Sequence, residues 1–189
     1  MNDTLNREEI EAALRRLGEL ADQAGLALKL QLVGGGAMVL AFGTRQATHD
    51  VDVKIESPRH QREAVLALAA QVAAEQGWPA DWLNDEAAAT MWGSSHGPIV
   101  LRAQGIEVEL PSLHQFLAMK LSAFRGKTDQ QDAERILQEI IATEQLKSAE
   151  ALWKHIRGHI SKEDESWAYG NLIMVWQEVN KDSDVDKQN

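Results

Sequence analysis

The chain contains no cysteine, which excludes a disulfide framework and any zinc site built on thiolates, and fits a reducing compartment. Aromatic residues are scarce at 5%, and no apolar run is long enough to cross a bilayer. The first residues, Met1 to Glu9, are polar and charged and lack the apolar centre of a signal peptide, so a soluble cytoplasmic protein without membrane contact is expected. Positive charge is also in deficit. With 19 Lys and Arg against 29 Asp and Glu, the formal net charge is −10, and the average field repels nucleic acid. An extended nucleic-acid surface is thereby disfavoured, although Arg45, Lys54, Lys120, Arg125 and Lys127 are enough for a local basic rim. What remains is an ordinary globular composition, 44% hydrophobic over 189 residues. That length suits one well-buried core, or a compact domain with a small extension.

Along the chain, Ile10, Leu14, Leu17, Leu20 and Ala24 recur at helical spacing and Gly25 stops the helix. Leu26 to Val33 reads as a strand that runs into Gly34-Gly35-Gly36, and Ala37 to Phe42 as a short buried helix. Asp50-Val51-Asp52-Val53-Lys54-Ile55 alternates with period two, as a half-buried strand does. Ser57-Pro58 is expected to cap a helix that stops at Gly77. Ile99 to Arg102 and Ile106 to Leu110 flank Gln104-Gly105 as a hairpin. A helix from Pro111-Ser112 to about Arg125 follows, then one opened by a Thr128/Gln131 capping box, and two more capped by Ser148 and Ser161. Residues 182 to 189 are expected to form a disordered tail. The fold class expected is α/β (α+β), a mixed twisted sheet flanked by helices.

Chemistry enters at two places. Carboxylates at i and i+2 of one strand, Asp50 and Asp52, project from one face and can hold a divalent ion; the alternative is a solvated strand face backed by Val51, Val53 and Ile55. Backbone N–H groups at Gly34-Gly35, opening a helix, can bind phosphate oxygens; the alternative is a tight turn needing positive φ.

The segment Leu32-Val33-Gly34-Gly35 through Arg45-Gln46-Ala47-Thr48-His49-Asp50-Val51-Asp52 resembles the nucleotidyltransferase superfamily signature, and its Arg-x-x-Thr-x-Asp-x-Asp form resembles the AbiEii toxin-like branch. Leu117-Ala118-Met119-Lys120 and Lys127-Thr128-Asp129-Gln130-Gln131-Asp132 match that branch's later motifs in order. The resemblance spans roughly Leu28 to Leu137. It implies a nucleotidyltransferase-like domain over residues 1–140; the residues beyond carry none of its motifs, and their helix signals predict a helical extension over 141–181. It further implies magnesium or manganese on Asp50 and Asp52, a nucleoside triphosphate contacted by Gly34, Gly35, Arg45, Thr48 and Lys120, and catalytic contributions from Lys120, Asp129 and Asp132. The implied reaction moves a nucleoside monophosphate to an RNA or protein acceptor, and the implied partner is an antitoxin. Two metals can activate the acceptor oxygen and neutralise the departing pyrophosphate.

Many members of that superfamily use a third carboxylate. Glu107 is the candidate here, with Glu109 on the same strand face, and both also fit the wet side of a hairpin. Lys120 fits either a triphosphate contact or a lysine whose stem lies along the core edge. Asp129 and Asp132 also suit a helix N-terminus. A nucleotidyltransferase fold without turnover, and a metal-dependent hydrolase, remain as alternatives. None of the six histidines is assigned a role, and the tryptophans at 153, 167 and 176 are expected in the core.

Overall fold

The computed structural model describes residues 4–185 and has a mixed α/β architecture. In chain order the elements begin with β1 (Leu5–Asn6) and α1 (Arg7–Gln23), β2 (Leu28–Leu32) and the glycine-led helix α2 (Gly34–Ala37, widening into a π-type turn over Met38–Phe42). They continue through β3 (Ala47–Thr48), β4 (Val51–Ser57), α3 (Arg62–Gln76), β5 (Leu83–Asn84), β6 (Ile99–Ala103) and β7 (Ile106–Glu109). The helices α4 (Leu113–Ala123), α5 (Lys127–Glu144), α6 (Ala149–Ile156) and α7 (Glu165–Val185) follow.

These elements group into two compact units. The first takes the chain through Thr90 together with His96–Pro111; the second takes Met91–Ser95 and the chain from Ser112 onward. The helices α4 and α5 therefore cluster with the C-terminal helices. The reason lies in the partners of their apolar faces: α5 packs on α4 and α7, and Ile136, Leu137 and Ile140 are fully buried there.

In the first unit five strands form one sheet in the order β5-β4-β2-β7-β6. β2 runs antiparallel to β4 and parallel to β7, β4 is parallel to β5, and β6 and β7 make the expected antiparallel hairpin. Alternation sorts the faces. Leu28, Leu30, Leu32, Val51, Val53, Ile106, Val108 and Leu110 are buried, whereas Lys29, Asp52, Lys54 and Glu107 are half-buried at the intervening positions. The helix α1 packs against α3 and β7, and its Gly18 lies so close to Ile106 that any side chain there would collide with it. α1 begins on a reciprocal capping box in which the Asn6 side chain accepts from the Glu9 N–H and Glu9 accepts from the Asn6 N–H at 2.8 Å.

Four local expectations are corrected. Ser57 does not cap a helix: it is the last residue of β4, drawn in by its pairing with Lys29, and α3 begins only at Arg62 after a single turn at Arg59–Gln61. The helix after β2 starts at Gly34 rather than Ala37, so the glycines form its first turn. Thr128 is inside α5 instead of capping it, because the helix starts at Lys127 behind Gly126. The helix α7 continues through Val185, so of the expected tail 182–185 is helical, and 186–189 lies outside the described residues. Ser148 does cap α6 by accepting from the Ala151 N–H, and Ser161 accepts from the Asp164 N–H in the turn before α7.

Candidate functional site

β2 ends at Leu32, and Val33, extended and buried, donates its N–H to the Asp52 carbonyl at 3.0 Å. That bond places the first residue of α2 directly beside β4. Gly34 has φ of +61°, a conformation that L side chains rarely adopt. A β-carbon there would also fall within the van der Waals envelope of the Asp52 carboxylate and 3.0 Å from its Cγ. At Gly35 a β-carbon would run into the Thr48 hydroxyl, and it would lie 3.3 Å from Arg45 Nη1. The loop and β3 thus bring Arg45 and the buried Thr48 onto the glycine turn, and β4 brings Asp52 onto it. Gly34, Gly35, Arg45, Thr48 and Asp52 form one constellation.

Asp50 sits just ahead of β4 and alternates with buried Val51, so it shares the half-buried side with Asp52. Its Oδ2 accepts from Asn84 Nδ2 at 3.3 Å on the neighbouring β5. It also lines a cavity of about 430 Å³ with His49, Pro79, Asp81, Trp82, Asn84 and Glu86. Trp82, almost fully buried, donates its indole N–H to the Ala69 carbonyl at 2.8 Å and meets Trp78 edge to face at a centroid distance of 5.7 Å, so the cavity wall is anchored to α3. The segment from Trp78 to Asp85 had little periodicity to read, and its packed tryptophans were the available signal.

The two acids of β7 share Lys29, 3.9 Å from Glu107 and 3.4 Å from Glu109, but differ in their other partners: Glu107 is bound by Arg102 across the hairpin at 2.6 Å, whereas Glu109 is buried and pairs with His96 Nδ1 at 2.6 Å. Glu107 therefore has the wet-hairpin surroundings that its position also allowed. The imidazole of His96 was not singled out in the sequence, because no histidine spacing marks it. Among the described residues no three or more His, Cys, Asp or Glu side chains are placed to hold a metal together. Asp50 and Asp52 offer oxygen donors of the kind that suits magnesium, which is commonly held by one or two carboxylates plus water and substrate phosphates.

The remaining motif residues belong to the second unit. Lys120 is buried, with Nζ 2.7 Å from Asp132 Oδ2 and 3.3 Å from Asp129 Oδ1. This replaces the picture of a lysine running along the core edge toward solvent. Asp129 also accepts the Arg125 N–H at 2.9 Å and its Nε at 3.3 Å. Burial pushes the Asp129 carboxyl up, but the Arg125 N–H, the charge and hydrogen bond of Lys120 and the Arg125 guanidinium outweigh it and hold it below the usual range. Asp129 and Asp132 are thus ion partners joining α5 to α4, beyond any service to the helix dipole. Nearby in that unit Trp153 meets Tyr169 edge to face, but Trp167 is 56% exposed, contrary to its expected place in the core.

Comparison with known proteins returns nothing: no family model, no curated protein and no solved structure matches the chain. The class defined by the fold is a mixed α/β protein with a five-stranded sheet and helices, and among the described residues no helix is long and apolar enough to cross a membrane.

Proposed function

We propose that the protein is a magnesium-dependent nucleotidyltransferase that takes a nucleoside monophosphate from a nucleoside triphosphate. The single observation that carries the reading is the glycine turn at Gly34-Gly35 pressed against Asp52, Thr48 and Arg45. A glycine-led helix start and a carboxylate strand meet there at van der Waals distance; the positive φ of Gly34 also suits a tight turn, but the contact with Asp52 is beyond what a turn requires.

In this reading the N–H groups opening α2 and the Arg45 guanidinium hold the phosphate oxygens, and Thr48 fixes the turn from below. Asp50 and Asp52 would hold magnesium, which supplies charge neutralisation at the transferring phosphoryl group. The chain's own task is positioning, because Gly34 admits no side chain between the carboxylate and the backbone donors. Lys120, Asp129 and Asp132 form one linked group within the second unit, with the lysine held by two carboxylates.

A binding module without turnover is the second reading. It is favoured by the engagement of Glu107 with Arg102 and of Glu109 with His96, because among the described residues no third acid then joins Asp50 and Asp52.

Calorimetry with each nucleoside triphosphate, with and without magnesium, tests the common part. The wild type should bind in a magnesium-dependent manner, and Asp50→Asn/Asp52→Asn should lose that dependence. Equal affinity for both proteins would refute the metal assignment. Release of pyrophosphate with labelled product separates transfer from mere binding, and nucleotide hydrolysis without transfer would favour the hydrolase instead.

A further inference from the structure

The helix α7 is apolar on two sides. Ala168, Leu172, Val175 and Val179 are buried where it packs against α4, α5 and α6 within the second unit. On the opposite side, positions recur at alternating intervals of four and three, beginning in the turn that leads into the helix. These are Glu163, Trp167, Gly170, Met174, Gln177 and Lys181, and all six are exposed. This is the spacing of a seam along which one helix pairs with another. Among the described residues the exposed large apolar side chains are Trp92, Ile99, Trp167 and Met174, and the last two lie on this one stripe, 56% and 41% exposed. Half-buried Ile173 and Trp176 lie on the same helix and widen its apolar surface. The outward face of a helix packed on one side is normally polar, and packing within the chain does not account for this stripe.

The stripe is complementary to itself when reversed. With two copies of α7 antiparallel and crossing level with Leu172, Glu163 comes opposite Lys181, Trp167 opposite Gln177 and Gly170 opposite Met174, each pair occurring twice. Gly170 is the notch: a β-carbon there would meet nothing within 4 Å, so the space is open to the methionine of the other copy. Unlike charges fall at the two ends. Lys181 meets Glu178 of its own helix at 3.1 Å, an exposed pair of little strength that leaves its ammonium available. A parallel arrangement would instead set Glu163 on Glu163 and Trp167 on Trp167, and would leave a void between two Gly170 residues. An antiparallel arrangement shifted by seven residues would bring Glu163 against Met174, a charge against an apolar side chain.

We propose that this face of α7 is a homodimer interface, on which a second copy of the chain lays its own α7 antiparallel in the register that joins Glu163 to Lys181. Such an interface is isologous and closes at two subunits. One helix face per subunit is a small contact, so the dimer forms at high protein concentration and dissociates on dilution. The inference does not rest on the nucleotide reading, because the glycine turn, Asp50 and Asp52 take no part in it.

Sedimentation equilibrium of the full chain over a concentration series is the test. The wild type should follow an equilibrium between monomer and dimer. Trp167→Gln and Met174→Gln should each weaken association tenfold or more, whereas Trp92→Gln, at an exposed tryptophan off the stripe, should leave it unchanged. Thermal unfolding under dilute, monomeric conditions should be the same for all of them, which separates loss of association from loss of fold. Charge reads the register: Glu163→Lys and Lys181→Glu should each weaken the dimer, and both changes in one chain should restore it at unaltered net charge. A wild type that stays monomeric at millimolar concentration would overturn the inference and give the stripe to a different protein. Association indifferent to Trp167→Gln and Met174→Gln would place the interface elsewhere. A charge-swapped double variant no tighter than the single ones would overturn the antiparallel register.

Discussion

The α-carbon of Gly34 faces the Asp52 carboxylate so closely that a β-carbon would stand only 3.0 Å from Asp52 Cγ and inside the envelope of Oδ2. Two requirements meet at this glycine, a left-handed φ of +61° and the absence of a side chain. Gly34→Ala should cost about 1–2 kcal/mol for the conformation alone, and should also push the carboxylate aside. Urea unfolding should show the stability loss, and magnesium–ATP calorimetry a drop in affinity of more than tenfold. A variant of unchanged affinity would separate the turn from the proposed nucleotide site.

Gly35 makes the same argument against a different neighbour. Gly35→Ala drives its methyl group into the Thr48 hydroxyl, and overpacking of this kind costs about 1–3 kcal/mol. Thr48→Ala removes the obstructing oxygen. The double variant should therefore be more stable than the sum of the single losses predicts, with a coupling above about 0.5 kcal/mol measured by chemical denaturation. Strict additivity would show that the two residues do not confront each other.

Lys120 is expected to be a stability residue first. Lys120→Met takes the buried cation from Asp132 and leaves Asp129 only Arg125, and breaking a buried pair from one side typically costs about 3–5 kcal/mol. Adding Asp132→Asn should recover part of that loss. Thermal unfolding of the two variants checks this, and a Lys120→Met protein as stable as wild type would mean that the pair is not buried in solution.

Acid should act through Asp129. Its folded-state carboxyl lies below the usual range, so its contribution is fully present above the unfolded value of about 3.9 and is lost as the pH falls through the lower folded value. Unfolding free energies at pH 7, 4 and 3 should fall more steeply for wild type than for Asp129→Asn in the acid window. Parallel curves would place the acid sensitivity elsewhere, for instance at Glu56, whose carboxyl is pushed up by burial but brought below its usual range by Lys54 and Arg59.

Much of the fold was legible in the sequence because local physics decides it. Period-two alternation from Asp50 to Ile55, helical spacing from Ile10 to Leu20, the hairpin about Gly105 and the capping oxygen of Ser148 all act within a few residues of themselves. The same holds for Asp50, Asp52, Gly34 and Gly35 as candidates, since residue types and spacing mark them. Tertiary structure decided the rest, where two segments compete for one residue. Ser57 reads as a cap until β2 recruits it into β4. Thr128 reads as a cap until the helix starts one residue earlier, at Lys127 behind Gly126. Glu107 and Glu109 are indistinguishable along β7, and only Arg102 on one side and His96 on the other give them different surroundings. Residue order alone sets which positions carry charge, which lack a side chain and which repeat in phase with a strand or helix. Only the folded chain decided that Gly34 abuts Asp52 and that Lys120 is buried between two carboxylates, because both depend on distances across elements that no local spacing encodes.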